Sequence, residues 1–585
     1  MSKAKISLVL SSSVIRYIKF GAIALLTCCL CIAIAPVVPS VTAKSPDWVV
    51  RSDRFADLLK KAIAAEGCQT KLGVSKSLQE IDPAFRACRQ QSVLQAVQSL
   101  EQSLAREKND ELRLDLEILR DVGQRSLRSY ALDEKYRVPY VNLSKAILES
   151  FKSTLKETKS SSSQAAILAK LNQYAGLEPG KIALASSLER DIQAQLQKPE
   201  VALPNKDRLE TDLKNNASQI DEIQTFLEKQ NIPRYKEAYA QLKTQLFNYE
   251  VFVRREIASR AEKNFRLPAE LYTLELEEQG IETPIEEVVR QAHAAFAGVQ
   301  QQMEELAPQV AQAKGLNALH YRDVIRALKQ EQLSAKDTLR LYQTRAKDLE
   351  TIIENEHLVT LPKHKFKIRL ATAQENESFP VPLYNASAST FVIPVLHDRE
   401  KAKLYNDFTN PAMSWTLTVH EGRPGHDLQF AALKDQKLSR ARTDFAKNAT
   451  NIEGWATYAE GVMQPYMPLE GKFMSLQFQL LRAARAFLEP ELQSGKITTA
   501  DALNVLTQDA GFSKFFAEQE VKRYTARFPG QAPAYFYGSQ QLLQLRSQTE
   551  KRLGDQFNVR KFNDFILSQG FLKPKLLKQI LSSNM

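Results

Sequence analysis

The sequence predicts a mainly α-helical fold, a large bundle-like assembly of helices with one small β-sheet beside a His-Glu helix. Three observations predict it. Apolar residues recur at helical spacing from Asp53 to about His357, alternation replaces that spacing only between Lys365 and Val395, and helical patterning resumes from Asn410 to the C-terminus. Charged residues at 25% and hydrophobic ones at 43% of 585 positions describe a globular chain, not a disordered or fibrous one. The pattern divides the chain into a leader, 1–43, an N-terminal helical region, 44–357, and a C-terminal region with the strands and the His-Glu helix, 358–585.

The leader differs in kind from the rest. Lys3, Lys5, Arg16 and Lys19 precede the apolar run "FGAIALLTCCLCIAIAPVV", and no acidic residue occurs before Asp47. Such a segment directs export, and "SVTA" at 40–43 offers the small residues of a cleavage site. The run from Phe20 to Val38 is 19 residues, long enough to serve instead as an uncleaved membrane anchor. Thr27-Cys28 is a third alternative, a lipid-modified cysteine. Each alternative places the mature chain outside the cytosol, in the periplasm or on the outer face of the cytoplasmic membrane.

Without the four basic residues of the leader the formal charge falls from +11 to +7, and the remaining cations are interleaved with Asp and Glu. No basic stripe emerges, so a nucleic-acid partner is not expected. Of the five cysteines, Cys28, Cys29 and Cys31 lie in the leader. Cys68 and Cys88 can pair in an oxidising compartment or remain as two buried thiols.

"VLQAVQSLEQSLARE" places Val93, Val97, Leu100 and Leu104 on one helix face. The breaks are a polar loop at 160–163, the two-proline stretch "QKPEVALPNKD", and Ile232-Pro233 ahead of a long amphipathic helix from Tyr235. In the β segment, "KFKIRLAT" alternates, and "STFVIPVL" is a β-branched run after a loop that holds Pro382 and Asn385. Pro380 and Pro394 mark that second strand as an edge, either an ordinary protected one or one that takes up an extended peptide. Asn410-Pro411 then opens a helix, Asn as cap and Pro in the first turn.

That helix carries "TVHEGRPGHDLQ" at 418–429. His420-Glu421 is half of a familiar zinc motif, but position 424 is Pro424 and the next histidine is His426. In an unbroken helix six residues rotate His426 about 240° from His420, and the two imidazoles cannot meet. Pro424 cannot continue the helix, so a break at Pro424-Gly425 is required, and a break can return His426 to the face of His420. A catalytic zinc takes three protein ligands. The third candidate is Glu453 in "NIEGWATYAEG", with Glu460 two turns later on the same face as a partner for one histidine. His397 follows the second strand, where it can either reach the same region or serve structurally, whereas His293, His320, His357 and His364 have no ligand-like partners nearby.

"HEGRPGHDLQ", "EGWATYAE" and "EVKRYTARFPGQAPAYFYG" together resemble the bacterial family catalogued as domain of unknown function 885, strongly over 380–550 and loosely over most of the remainder. That family is similar to zinc metallopeptidases of the thimet oligopeptidase and carboxypeptidase Taq type. The resemblance implies a helical zincin with one Zn2+ held by His420, His426 and Glu453, with Glu421 as general base. It also implies an oxyanion donor among Tyr535 and Tyr524, with Arg523 as a carboxylate or oxyanion contact, and a peptide as substrate. Many relatives follow Pro-Gly with two histidines; here Asp427 stands second, so His426 alone can serve. Two rival functions are a zinc hydrolase of another amide or ester, and a helical envelope protein without catalysis.

Overall fold

The computed structural model describes residues 46–68, 75–157, 160–261, 264–378, 381–395 and 406–584. The leader, with its anchor and lipidation alternatives, lies outside the described residues, as do Pro380 and His397. The fold is 74% helical with one three-stranded sheet, as the patterning predicts. Among the described residues no helix is long and apolar enough to cross a membrane.

Three large apolar cores organise the helices. One is built only from residues 78–261, around Phe151, Tyr174, Ile220 and Tyr249. The second joins Leu59, Leu119 and Ile353 to Trp455, Tyr458 and Phe562, and the third joins Met303, Tyr321 and Tyr342 to Phe391, Phe473 and Tyr524. The His-Glu helix, Ser414–Glu421, is buried at every position because it runs between the last two: Met413 and Leu417 face one core, Trp415 and Val419 the other. Burial of each such side chain contributes about 2 kcal/mol. The approach to this helix is fixed by a buried ion pair, Lys329 Nζ to Asp407 Oδ1 at 2.6 Å, with Gly511 O and Ser513 N completing the hydrogen bonds.

The sheet comprises β1 (Lys367–Leu370), β2 (Leu383–Asn385) and β3 (Thr390–Ile393) in the order β1-β3-β2. β3 pairs parallel to β1 and antiparallel to β2, and all four of its residues are buried. The expectation that "STFVIPVL" forms an edge is therefore corrected: both of its sides are occupied. β2 supplies one of them, in three residues between Pro382 and a turn, too short for an alternating pattern to register.

Two boundaries also differ from the sequence reading. Ser160–Ser163 is not a loop but the first turn of the helix Ser160–Ala175. Asn410 does cap, its Oδ1 accepting from Met413 N at 3.0 Å, but it caps a turn over 411–413, and the helix itself starts at Ser414.

Cys68 and Cys88 form a disulfide that ties the turn after the first helix, Asp47–Ile63, to the Pro83–Arg106 helix. It closes a loop with a sequence separation of 20 residues, which restricts the unfolded chain and stabilises by about 3 kcal/mol. Reduction, or Cys68→Ala with Cys88→Ala, is expected to lower the urea midpoint accordingly; an unchanged midpoint would show that the bridge adds no stability.

Candidate metal centre

The helix Ser414–Glu421 ends at the predicted place, and a second helix, His426–Asp435, begins after a tight reversal whose Arg423-Pro424 peptide is cis. Gly425 N donates to Val419 O at 3.0 Å, and the chain folds so closely onto the helix end that a Cβ at Gly425 would lie 2.1 Å from His420 O. Only glycine fits there. Trp455 Nε1 donates to Pro424 O at 2.8 Å and holds the reversal from the neighbouring helix, Ala449–Met463. The reversal returns His426 to His420, with ring centroids 4.8 Å apart in an edge-to-face arrangement.

Glu453 arrives on Ala449–Met463, which crosses the helix Pro533–Leu553 in backbone contact. A Cβ on Gly454 would stand 2.6 Å from Gly538 Cα, and one on Gly538 would stand 2.0 Å from Thr450 O. "EGW" is thus one unit: Glu453 enters the site, Gly454 permits the crossing, and Trp455 holds the reversal. Glu453 Oε2 lies 3.4 Å from Nε2 of His420 and 3.4 Å from Nε2 of His426. The donor atoms of the three residues lie within 4.8 Å of one another.

His420 Nδ1 bonds Glu460 Oε1 at 2.6 Å, which orients the ring and aims Nε2 at Glu453. Arg482 Nη2 donates to the same Glu460 oxygen at 3.0 Å. Burial opposes protonation of His420, but its hydrogen bonds to Glu453 and Glu460 outweigh this and push it up to about 9. Burial likewise opposes ionisation of Glu453, yet the two imidazoles hold that carboxyl well below its usual range. Glu421 behaves oppositely. Burial raises it, with only partial relief from His420 and His426, and among the described residues its carboxylate makes no hydrogen bond.

Of the remaining sequence candidates, Tyr535 is at the centre. Its ring stacks on His420 with centroids 6.4 Å apart, and its hydroxyl accepts from Arg523 Nη2 at 2.7 Å. Tyr524 is engaged elsewhere: its buried hydroxyl donates to Glu520 Oε2 at 2.9 Å. The π-helical turn Arg523–Arg527 separates the two roles, sending Arg523 to Tyr535 and Tyr524 to Glu520.

Asp427 also acquires a place. Its buried carboxylate accepts from Arg423 Nε at 2.9 Å, Tyr384 OH at 3.1 Å and His364 Nε2 at 3.1 Å. It therefore binds His364, dismissed on sequence, rather than His426, and it ties β2 to the reversal. Arg482 and Arg485 were also missed. Their signal is a stripe of polar residues, Arg482, Arg485, Glu489 and Gln493, at spacings of three and four on the buried face of the helix Leu469–Ser494.

The architecture defines a helical protein built around a buried His-His-Glu cluster. The chain belongs to the family described as bacterial proteins of unknown function (DUF885), which matches residues 68–581. No curated protein matches. Among solved structures it is similar to one from Shewanella oneidensis, described as "a putative lipoprotein of unknown function", at 15% identity and a TM-score of 0.68, covering 92% of this chain and 100% of that one. A second, described as "the putative lipoprotein from Colwellia psychrerythraea", matches at 17% identity and a TM-score of 0.61, covering 91% and 98%. At these identities the likeness concerns the fold.

Proposed function

We propose that this chain is an exported zinc-dependent peptidase acting on short or unfolded peptides. The observation that carries the proposal is the position of Glu453 Oε2, 3.4 Å from both imidazole Nε2 atoms. Donors about 2.1 Å from a tetrahedral zinc stand about 3.4 Å apart; the two Glu453–His edges match that spacing and all three donors lie within 4.8 Å of one another, a set of three that would leave the fourth position open. When bound there, zinc supplies Lewis acidity that polarises a carbonyl and acidifies a water.

The protein side chains supply the rest. Glu421, raised by burial and without a competing hydrogen bond among the described residues, takes the proton of the attacking water and delivers it to the departing amine. Arg523 occupies a lone pair of the Tyr535 oxygen, so the phenolic hydrogen is free to point to the developing oxyanion. Burial keeps Tyr535 above its ordinary range and hence protonated at neutral pH. The edges left free by the sheet order are those of β1 and β2, and β2 stands beside the site through Tyr384, whose ring is 6.5 Å from that of His426.

Export is supported by the leader, by the Cys68–Cys88 disulfide, and by the description of both structural neighbours as lipoproteins. The test of function is a digest of an unbiased peptide library by the purified mature chain, with and without a chelator. Cleavage that stops on chelation and returns with zinc is expected. Intact peptides under zinc-replete conditions would overturn the peptidase reading.

A further inference from the structure

Three guanidinium groups surround the ring of Tyr535, with Cζ atoms 5.2, 4.5 and 5.1 Å from its centroid for Arg482, Arg485 and Arg523. Among the described residues two carboxylates answer them closely. Glu460 takes Arg482, and Glu520 takes Arg485 in a two-pronged pair at 2.6 and 2.8 Å while also accepting from Tyr524. Arg523 is left 3.7 Å from Glu520, and its short contacts are both to neutral oxygens, Gln531 Oε1 at 2.9 Å and Tyr535 OH at 2.7 Å. Its Nε is buried and has no partner. Glu489 does not restore the balance, because burial pushes its carboxyl up to about 8 and keeps it neutral at neutral pH. The one carboxylate among the described residues within ion-pair reach of Arg523 is thus already engaged at shorter range by Arg485 and Tyr524, which leaves this largely buried guanidinium under-compensated, and a planar carboxylate is the group its fork fits best.

We infer that Arg523 is a substrate-carboxylate subsite, and that the carboxylate it takes is the free C-terminus of a peptide lying across the His-His-Glu cluster. This rests on the peptidase reading and adds a direction to it. The C-terminal end of the substrate lies on the Tyr535 side of His420. The opposite side, beyond His426, is aromatic: Tyr384 and Phe430 approach the His426 ring to 6.5 Å each, and Phe571 stands 5.6 Å from Phe430. That side suits an apolar side chain, and a cation there, Lys447, lies over the Phe430 and Phe571 rings at 5.8 and 5.9 Å. The chain is therefore selective for peptides cut near a free C-terminus, and blocking that terminus removes the contact.

The test measures binding by titration calorimetry to the zinc-loaded Glu421→Gln protein, in which chemistry is suppressed. The probes are N-acetyl-Ala-Phe-Ala as the free acid, the same peptide as its carboxamide, and N-acetyl-Ala-Phe-Glu carboxamide. The free acid is expected to bind about 10-fold or more tightly than its carboxamide. Adding Arg523→Gln should erase that difference, and Arg523→Lys should restore part of it, a contrast that general loosening of the site does not produce. Equal binding of acid and carboxamide, no binding of either, or a difference that persists in Arg523→Gln overturns the subsite. A glutamyl carboxamide that binds as tightly as the free acid overturns the terminal-carboxylate assignment. Failure of the wild type to cleave any peptide contradicts the peptidase reading instead, and leaves the acid–carboxamide comparison as an independent result.

Discussion

Replacing Glu421 by Gln is expected to lower peptide hydrolysis by about 10²- to 10⁴-fold while leaving zinc content unchanged. Gln has the shape of Glu but cannot accept the proton, and Glu421 is outside the ligand triangle of His420, His426 and Glu453. Its carboxyl is raised by burial, so it is the protonated, inactive form that appears first as pH falls. The wild-type rate should accordingly fall on an acid limb lying above the ordinary glutamate range, and that limb should vanish in the residual activity of the variant. A variant with undiminished turnover would remove Glu421 from the chemistry even with metal present.

The second large effect separates two glutamates seven residues apart on one helix. Glu453→Ala removes the only carboxylate among the described residues that faces both Nε2 atoms, and is expected to abolish stoichiometric zinc binding. Glu460→Ala removes a partner of His420 Nδ1, not a ligand, and is expected to cost about 10- to 100-fold in affinity with zinc retained at saturation. Competition with a chromophoric chelator reads both variants on one scale. Zinc retained by Glu453→Ala and lost from Glu460→Ala would reverse the two roles.

How much of this was legible in the sequence depends on whether local or long-range physics decides each feature. The helical class and the break at Pro424-Gly425 follow from local periodicity and proline sterics, and both are present in the structure. The return of His426 to His420 was conditional on that break. Gly454 and Trp455 explain how Glu453 is delivered, but their tasks involve Gly538 and Pro424, distant in sequence, and could not be read from "EGW" alone. β2 was lost because three residues beside Pro382 carry no period. His364 and Asp427 looked idle for a similar reason, since each finds its partner 63 positions away. Tyr524 and Tyr535 were indistinguishable in "KRYTARFPGQAPAYFYG", because their partners are set by the packing of two successive elements: the Tyr535 ring stacks on His420, whereas the Tyr524 hydroxyl, on a π-helical turn, bonds Glu520.

The central claim is that His420, His426 and Glu453 hold an ion, and metal quantification of the purified mature chain tests it most directly. After equilibration with zinc and removal of the excess, the account predicts about one zinc per wild-type chain and none in Glu453→Ala. A wild-type chain that emerges folded and without stoichiometric metal would contradict it.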